Sequence, residues 1–342
     1  MHLNHIIRYY SWIAGIFFLL FLSGCAGIPQ MLIPASTNAL DIKNLITTVF
    51  EIAAVVFVVV EALLIYVAIR FSHRKTEGLP DQSEGNQRIE VAWTMLPVIV
   101  LGVVFVVSLK TLTTVGYQPK IVQAAAGISQ SINIRVVGHQ WWWEFDYPDQ
   151  KIITADEMHV PLNATIYLDV ESVDVIHSYW VPQLGGKMDA IPGHINKTWF
   201  QPTQIGTYPG QCSEFCGAQH ANMRFTVVVE TPAQFQTWLS QQEMAIPSLT
   251  GQASQGEQAF LNGACIGCHT IDGTKAQGKV GPNLTHFASR SVFAGATLTN
   301  TPDNVAKWLA DPQAVKPGNL MPDLHLAQDQ INNLVVFLES LK

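Results

Sequence analysis

Between residues 211 and 223 the chain carries two thiols four apart, Cys212 and Cys216, an imidazole at His220 and a thioether at Met223. Soft sulfur with imidazole suits copper or zinc, whereas magnesium or calcium would want oxygen. A structural zinc site closes with four Cys or His ligands. Here the fourth strong ligand is missing locally, and a Met, which zinc rarely uses, stands in the loop, so the pattern tilts toward copper. A second thiol pair lies in Cys265-Ile266-Gly267-Cys268-His269, the attachment pattern of c-type haem. In it two thiols form thioethers with the porphyrin and the next residue sets an imidazole over the iron. The pattern is short, and zinc and redox sites also use Cys pairs, so its weight depends on export of the segment. A haem needs a second axial ligand, and Met321 is the only Met after residue 244. His286 and His325 are the alternatives. His/Met ligation raises a haem potential, as suits a donor to copper.

These side chains must be positioned by more than one unit. The 342 residues are 48% hydrophobic with mean hydropathy +0.20, too many and too apolar for one ordinary soluble domain. Charged residues are only 13% and the net charge is −7, which argues against a nucleic-acid partner. A weakly basic start with Arg8 and a short apolar core from Trp12 to Leu22 read as an export signal. Leu22-Ser23-Gly24-Cys25 resembles the bacterial lipoprotein cleavage box, which predicts a signal peptide over 1–24 and a lipidated Cys25. A plain signal peptide or a third transmembrane helix are the alternatives. Residues about 45–69 and 91–110 are then predicted as membrane helices, each long enough for a hydrocarbon core of ~30 Å at ~1.5 Å per residue. Glu51 and Glu61 interrupt the first, and a carboxylate at the depth of Glu61 should face a protein neighbour. Pro97 is a kink candidate in the second. Arg70, Arg74, Lys75 and Arg88 cluster around the intervening loop, which the positive-inside rule places in the cytoplasm. Both ends of the hairpin, and everything after residue 115, are then outside.

Over 120–232 the pattern changes to short β-branched runs (132–137, 164–170, 198–200, 224–229) broken by Pro and Gly, which argues an all-β sandwich or barrel. Residues 233–250 read as a linker that begins helix-like. Helical windows at 252–262 and 328–341 frame a small α-helical domain over 251–342.

His177, Cys212-Ser213-Glu214-Phe215-Cys216, His220 and Met223 resemble the binuclear copper (CuA) site of subunit II of haem–copper cytochrome c oxidases. The resemblance implies bridging by Cys212 and Cys216, caps at His177 and His220, a thioether from Met223 and the carbonyl of Glu214. It implies a cupredoxin-like Greek-key barrel for the β-region, with the ligands on loops at one end. Gly138-His139-Gln140-Trp141-Trp142-Trp143 is similar to the family's aromatic patch, which makes Trp141 the point where electrons enter. Of three adjacent aromatics, at least one is expected in the core and the others alternate with the surface; His139 and His159 are expected to be structural. Glu90-Val91-Ala92-Trp93-Thr94-Met95-Leu96-Pro97 is similar to a family motif whose Glu opens a proton path. Glu90 equally suits a helix N-terminus. By the same resemblance the carboxylate of Glu214 helps hold a magnesium ion at the border with subunit I, near Asp189. The chain departs from the family pattern at His194, where many relatives have Arg. Gly281-Pro282-Asn283-Leu284 resembles the cytochrome c segment beside the proximal His, and a fused cytochrome c domain marks caa-type oxidases. The five cysteines are then all assigned: one to lipid, two to copper, two to haem.

The implied function is the subunit of a proton-pumping cytochrome c oxidase through which electrons enter, from an external donor such as cytochrome c or a bc-type complex, through haem c and CuA to subunit I. Subunit III is a further implied partner, and a bacterial inner membrane the implied location. A nitric-oxide-reducing relative and a membrane-anchored electron carrier without catalytic partner are the other readings. A quinol oxidase subunit II would share the fold but lack the copper ligands that this chain retains.

Overall fold

The computed structural model describes residues 31–71, 84–116 and 131–342. The signal peptide, Cys25, and Arg74 and Lys75 of the basic loop lie outside the described residues. Helix α1 (Thr37–Phe71) and helix α2 (Gln87–Gly116) expose large apolar side chains all round, such as Phe57 at 64% and Leu101 at 66%. A helix apolar on every face and not buried in its own chain suits a hydrocarbon solvent. Both are longer than the hydrophobic pattern predicts, and α2 carries Pro97 in its interior.

Helix α1 starts eight residues before the predicted 45, because polar residues there find partners on the β-domain rather than in lipid. Ser36 Oγ accepts from the Ala39 amide (3.0 Å) and donates to the Leu184 carbonyl (2.6 Å). Asn38 donates to Trp199 O at 3.2 Å and accepts from Gln201 N at 3.3 Å. The first turn of the helix is therefore docked onto the sandwich. At the other end of the hairpin, the Asn86 side chain accepts from Arg88 and Ile89, capping α2, so Glu90 sits in its first turn and is exposed.

Ten strands follow: β1 (Ser131–His139), β2 (Trp142–Tyr147), β3 (Ile152–Ala155), β4 (Glu157–Pro161), β5 (Thr165–Ser172), β6 (His177–Trp180), β7 (Met188–Ala190), β8 (Asn196–Phe200), β9 (Gly206–Cys212) and β10 (Arg224–Glu230). They form two five-stranded sheets, ordered β3-β2-β1-β5-β8 and β4-β10-β9-β6-β7, with parallel β1/β5 and β4/β10 pairs among antiparallel ones. Strand β5 alternates between half-buried and buried positions, as one face of a sandwich should. Trp143 and Phe145 from one sheet meet Phe225 from the other, each with ring centroids 5.6 Å apart. This is the cupredoxin-like all-β domain.

Helix α3 (Pro232–Gln242) opens with a Thr231/Gln234 capping box and buries Phe235, Trp238 and Leu239 against the β-domain. Residues 232–242 thus belong to that domain, and the connector is shorter than the predicted 233–250. The C-terminal domain holds α4 (Gly251–Asn262), a hairpin of β11 (Val292–Phe293) and β12 (Leu298–Thr299), α5 (Pro302–Ala310), the single turn α6 (Pro312–Val315) and α7 (Gln328–Leu338). It has its own core, with Phe260 and Phe337 5.6 Å apart where α4 crosses α7. A Cβ on Gly256 would stand 2.0 Å from the Asn333 carbonyl oxygen. Gly256→Ala gains ~1 kcal/mol of helix propensity, but forcing the helices apart costs about 1–3 kcal/mol or more, so the clash wins against backbone. The expected result is a C-terminal domain melting several degrees lower in a thermal scan. An unchanged or higher melting temperature would show that the crossing does not need a glycine.

The two domains are joined by more than their connector. Arg224 N donates to Gly295 O (3.0 Å), Gly295 N to Asp156 Oδ2 (2.7 Å), Ser291 N to Glu157 Oε2 (3.0 Å) and Gln219 Nε2 to Pro317 O (2.5 Å).

Candidate redox centres

Strand β9 ends at Cys212 and the loop to β10 carries the remaining donors, while His177 begins the neighbouring β6. Cys212 Sγ lies 3.8 Å from Cys216 Sγ, 3.9 Å from His177 Nδ1 and 3.3 Å from Glu214 O. Cys216 Sγ lies 3.6 Å from His220 Nδ1 and 3.7 Å from Met223 Sδ. A disulfide would need ~2.05 Å, so these are two free thiols facing each other across a gap. The structure therefore brings all six sequence-predicted donors into one cluster. Among the described residues, His177, Cys212 and Cys216 are the one group of three such ligands that could share a metal ion.

The electrostatics favour thiolate. The hydrogen bond from Cys216, reinforced by His177, lowers the Cys212 thiol well below its usual value, while Cys216 is pushed up because it keeps the shared proton. Burial works to lower the His177 pKa, but hydrogen bonds to Asp174 and Cys212 hold it above the usual value. Asp174 belongs to none of the sequence motifs. Its Oδ1 lies 2.8 Å from His177 Nε2, which leaves Nδ1 for the sulfurs, and its Oδ2 accepts from Gln140 N at 2.7 Å. A carboxylate orienting a ligating imidazole is a common device at metal sites. Its only sequence signal is a position three before His177. Soft donors, an imidazole held in one orientation and a gap between thiols together fit a copper pair.

Trp141, Trp142 and Trp143 are all buried, at 8%, 9% and 0%. The expected alternation fails because Trp143 fills the sandwich while the C-terminal domain covers the other two. His139 stacks on Trp142 with centroids 4.0 Å apart, and burial lowers its pKa to about 4. His159 lies between Glu157 and Glu230 and stacks on Trp238. Gln140 Nε2 and Trp141 Nε1 both donate to the Cys216 carbonyl, at 2.7 and 3.0 Å.

Trp141 also lines a mostly apolar cavity shared with Trp142, Cys265, Cys268, His269 and Met321. His269 Nδ1 lies 2.9 Å from the Pro282 carbonyl, which leaves Nε2 free; burial lowers its pKa, so the ring is neutral and able to serve as a ligand. Of the three candidates for the second axial ligand, Met321 lines the cavity. His286 Nδ1 is turned to Lys342 O (3.0 Å), and exposed His325 pairs with Asp323 (3.0 Å). Arg290, also in the wall, is buried; its guanidinium donates to the Asn283 carbonyl through Nη2 while Nε has no partner, a cationic donor that suits the carboxylates of a haem. Nothing in the sequence pattern marked it. Trp308 Nε1 donates to Met321 Sδ at 3.1 Å. With Met321 holding a haem iron, that bond would draw density from the thioether and favour the reduced state. Trp308→Phe is therefore expected to lower the potential of the haem-loaded protein by about 20–40 mV, the one-electron equivalent of a hydrogen bond of ~0.5–1 kcal/mol. A redox titration that gave an unchanged potential would remove Trp308 from this role.

Glu214 and Asp189 are exposed, and their carboxylates join no cluster of metal ligands among the described residues. His194 sits in an exposed turn, its amide donating to Ile191 O.

Three segments match known families: residues 28–111 the transmembrane domain of cytochrome c oxidase subunit II, 151–231 its periplasmic domain, and 253–342 cytochrome c. Cytochrome c oxidase subunit 2 of Alkalihalophilus pseudofirmus is 33% identical over 332 residues, covering 95% of each chain. The chain belongs to the cytochrome c oxidase subunit II family. The corresponding subunit 2 of Bacillus sp. (strain PS3) is 36% identical over 286 residues, 80% of each chain. The periplasmic domain of subunit II from Bradyrhizobium japonicum is a similar solved structure, 36% identical, covering 33% of this chain and 93% of that one at a TM-score of 0.32. This subunit II carries a copper-type β-domain and a c-type haem domain on a two-helix membrane anchor.

Proposed function

We propose that this subunit II is where electrons enter a proton-pumping haem–copper oxidase. They arrive from an external donor, such as cytochrome c or a bc-type complex, at the C-terminal domain, cross to the β-domain and leave toward subunit I for oxygen reduction. Trp141 carries the reading: it lines the haem cavity while its indole N–H holds the carbonyl of Cys216. When bound, haem c and the copper pair supply the one-electron chemistry. The chain's own residues supply ligation, spacing and exclusion of water. Cys265 and Cys268 would hold the porphyrin, His269 and Met321 the iron. Cys212, Cys216, His177, His220, Met223 and the Glu214 carbonyl would hold copper, with Asp174 fixing the His177 ring.

Further parts of the proposal concern the membrane. Cys25 is lipidated after removal of 1–24, the domains after residue 115 face outward, and Glu90 opens a proton path toward subunit I. The exposure of Glu61, Glu90 and Glu214 supports an adjoining chain, with subunit I and subunit III as partners and a magnesium ion at Glu214. Test: purify the subunit with its partners, measure copper and covalent haem per chain, and record electron paramagnetic resonance. Two coppers sharing one unpaired electron, with reduction of haem preceding that of copper on rapid mixing with donor, is the expected result. Copper that is reduced before the haem would overturn the relay. Consumption of nitric oxide but not oxygen would reassign the acceptor, and isolation without subunit I would favour a tethered carrier.

A further inference from the structure

Lys316 is a haem-domain residue at the end of α6, 2% exposed, that neither redox pocket uses as a ligand. Its Nζ donates to Trp141 O (2.6 Å), Asn222 O (2.9 Å) and Ala294 O (2.9 Å). An ammonium has three donors, so all of them are spent on backbone carbonyls. Two of those carbonyls belong to the β-domain. Trp141 hangs on the carbonyl of Cys216, and Asn222 directly precedes Met223 in the copper loop. The third, Ala294, lines the haem cavity.

Buried Asp156 of the β-domain supplies the counter-charge. Its Oδ1 accepts from Trp143 N (3.1 Å) in its own domain and its Oδ2 from Gly295 N (2.7 Å) across the boundary. The junction is also closed to added volume: a Cβ on Gly295, whose φ is +70°, would lie 2.5 Å from Lys316 Nζ and 2.7–2.8 Å from the Asn222 and Trp141 oxygens. Each domain keeps its own hydrophobic core, so the contact joins two bodies rather than building either one.

We propose that Lys316 is a positioning residue: its ammonium clamps the haem domain onto the copper loop and fixes the gap that electrons cross. The clamp rests on the relay reading above for its functional consequence. With it closed, transfer occurs across a constant distance; with it open, transfer waits for the domains to meet.

The test uses the full-length, haem- and copper-loaded subunit with Lys316→Met, which keeps length and removes the charge. Hydrogen exchange is read at the Arg224 and Gly295 amides, both of which donate across the boundary. Exchange there should rise about tenfold or more, while the β5 and α7 amides stay as protected as before. Haem-to-copper transfer should slow about tenfold and become dependent on solvent viscosity, which a change confined to stability would not produce. Gly295→Ala attacks the same contact from the opposite side and should reproduce the pattern if Lys316→Met folds poorly. Unchanged exchange at Arg224 and Gly295 in the folded variants overturns the clamp. Absence of haem-to-copper transfer in the unaltered protein would instead overturn the relay, and the exchange data would still decide the clamp.

Discussion

Cys216→Ser is expected to abolish the two-copper signature and, with it, electron delivery to subunit I, while leaving the haem spectrum intact. Cys216 Sγ is within 3.6–3.8 Å of Cys212 Sγ, His220 Nδ1 and Met223 Sδ, so it stands between three other donors of the cluster. The hydroxyl that replaces it is smaller, harder and stays protonated, a poor bridge between soft ions. Loss of a group that merely orients a ligand costs about 10–100-fold in metal affinity, and loss of a bridging ligand should exceed the upper end of that range. It also removes the partner that lowers the Cys212 thiol well below its usual value. Metal analysis with electron paramagnetic resonance reads the outcome. Two coppers per chain with the parent spectrum would remove Cys216 from the site.

Gly281→Ala should be nearly as damaging to the second centre, although Gly281 is no ligand. The added methyl would stand 2.6 Å from Cε1 and 2.9 Å from Nδ1 of His269. The ring sits between that glycine and the Pro282 carbonyl, which holds Nδ1 at 2.9 Å, so it can yield only by giving up that bond. Thioethers formed by Cys265 and Cys268 would not depend on the ring. The expected result is a covalently bound haem that has lost its normal low-spin spectrum, with an affinity of His269 for iron about 10–100-fold weaker. Absorbance of the oxidised and reduced protein measures this directly. A parent-like spectrum would mean that the 281–282 turn shifts without cost.

Much of this architecture was legible because the chemistry is concentrated in short runs. Cys212 to Met223 and Cys265 to His269 need only local spacing, and the two membrane helices need only a long, predominantly apolar stretch. What escaped notice lacks such a signature. Strand β9 reads Gly206-Thr207-Tyr208-Pro209-Gly210-Gln211-Cys212, with Pro and Gly where alternation should be, yet it lies at the centre of its sheet. Gly210 is there because the Phe225 ring occupies the place where a side chain would stand. That reason is visible only across strands. Asp174, Arg290 and Lys316 were missed in the same way: each acts on a residue brought near by folding, and a lone charge carries no spacing. Trp141 and Trp142 were expected to alternate because the covering domain follows them by more than a hundred residues.

The polar start of α1 has a consequence for how the molecule stands on its membrane. From Ser36, hydrogen-bonded to Leu184, to Phe71 the chain is one uninterrupted rod of about 52 Å, and its top is keyed into the same loops that close the sandwich. The rod is therefore a mast rather than a tether. Each residue added to it near position 45 would turn the copper loop by about 100° and raise it by about 1.5 Å. The compass bearing of Cys212 and Cys216 above the bilayer is thus written in the length of a helix that touches neither.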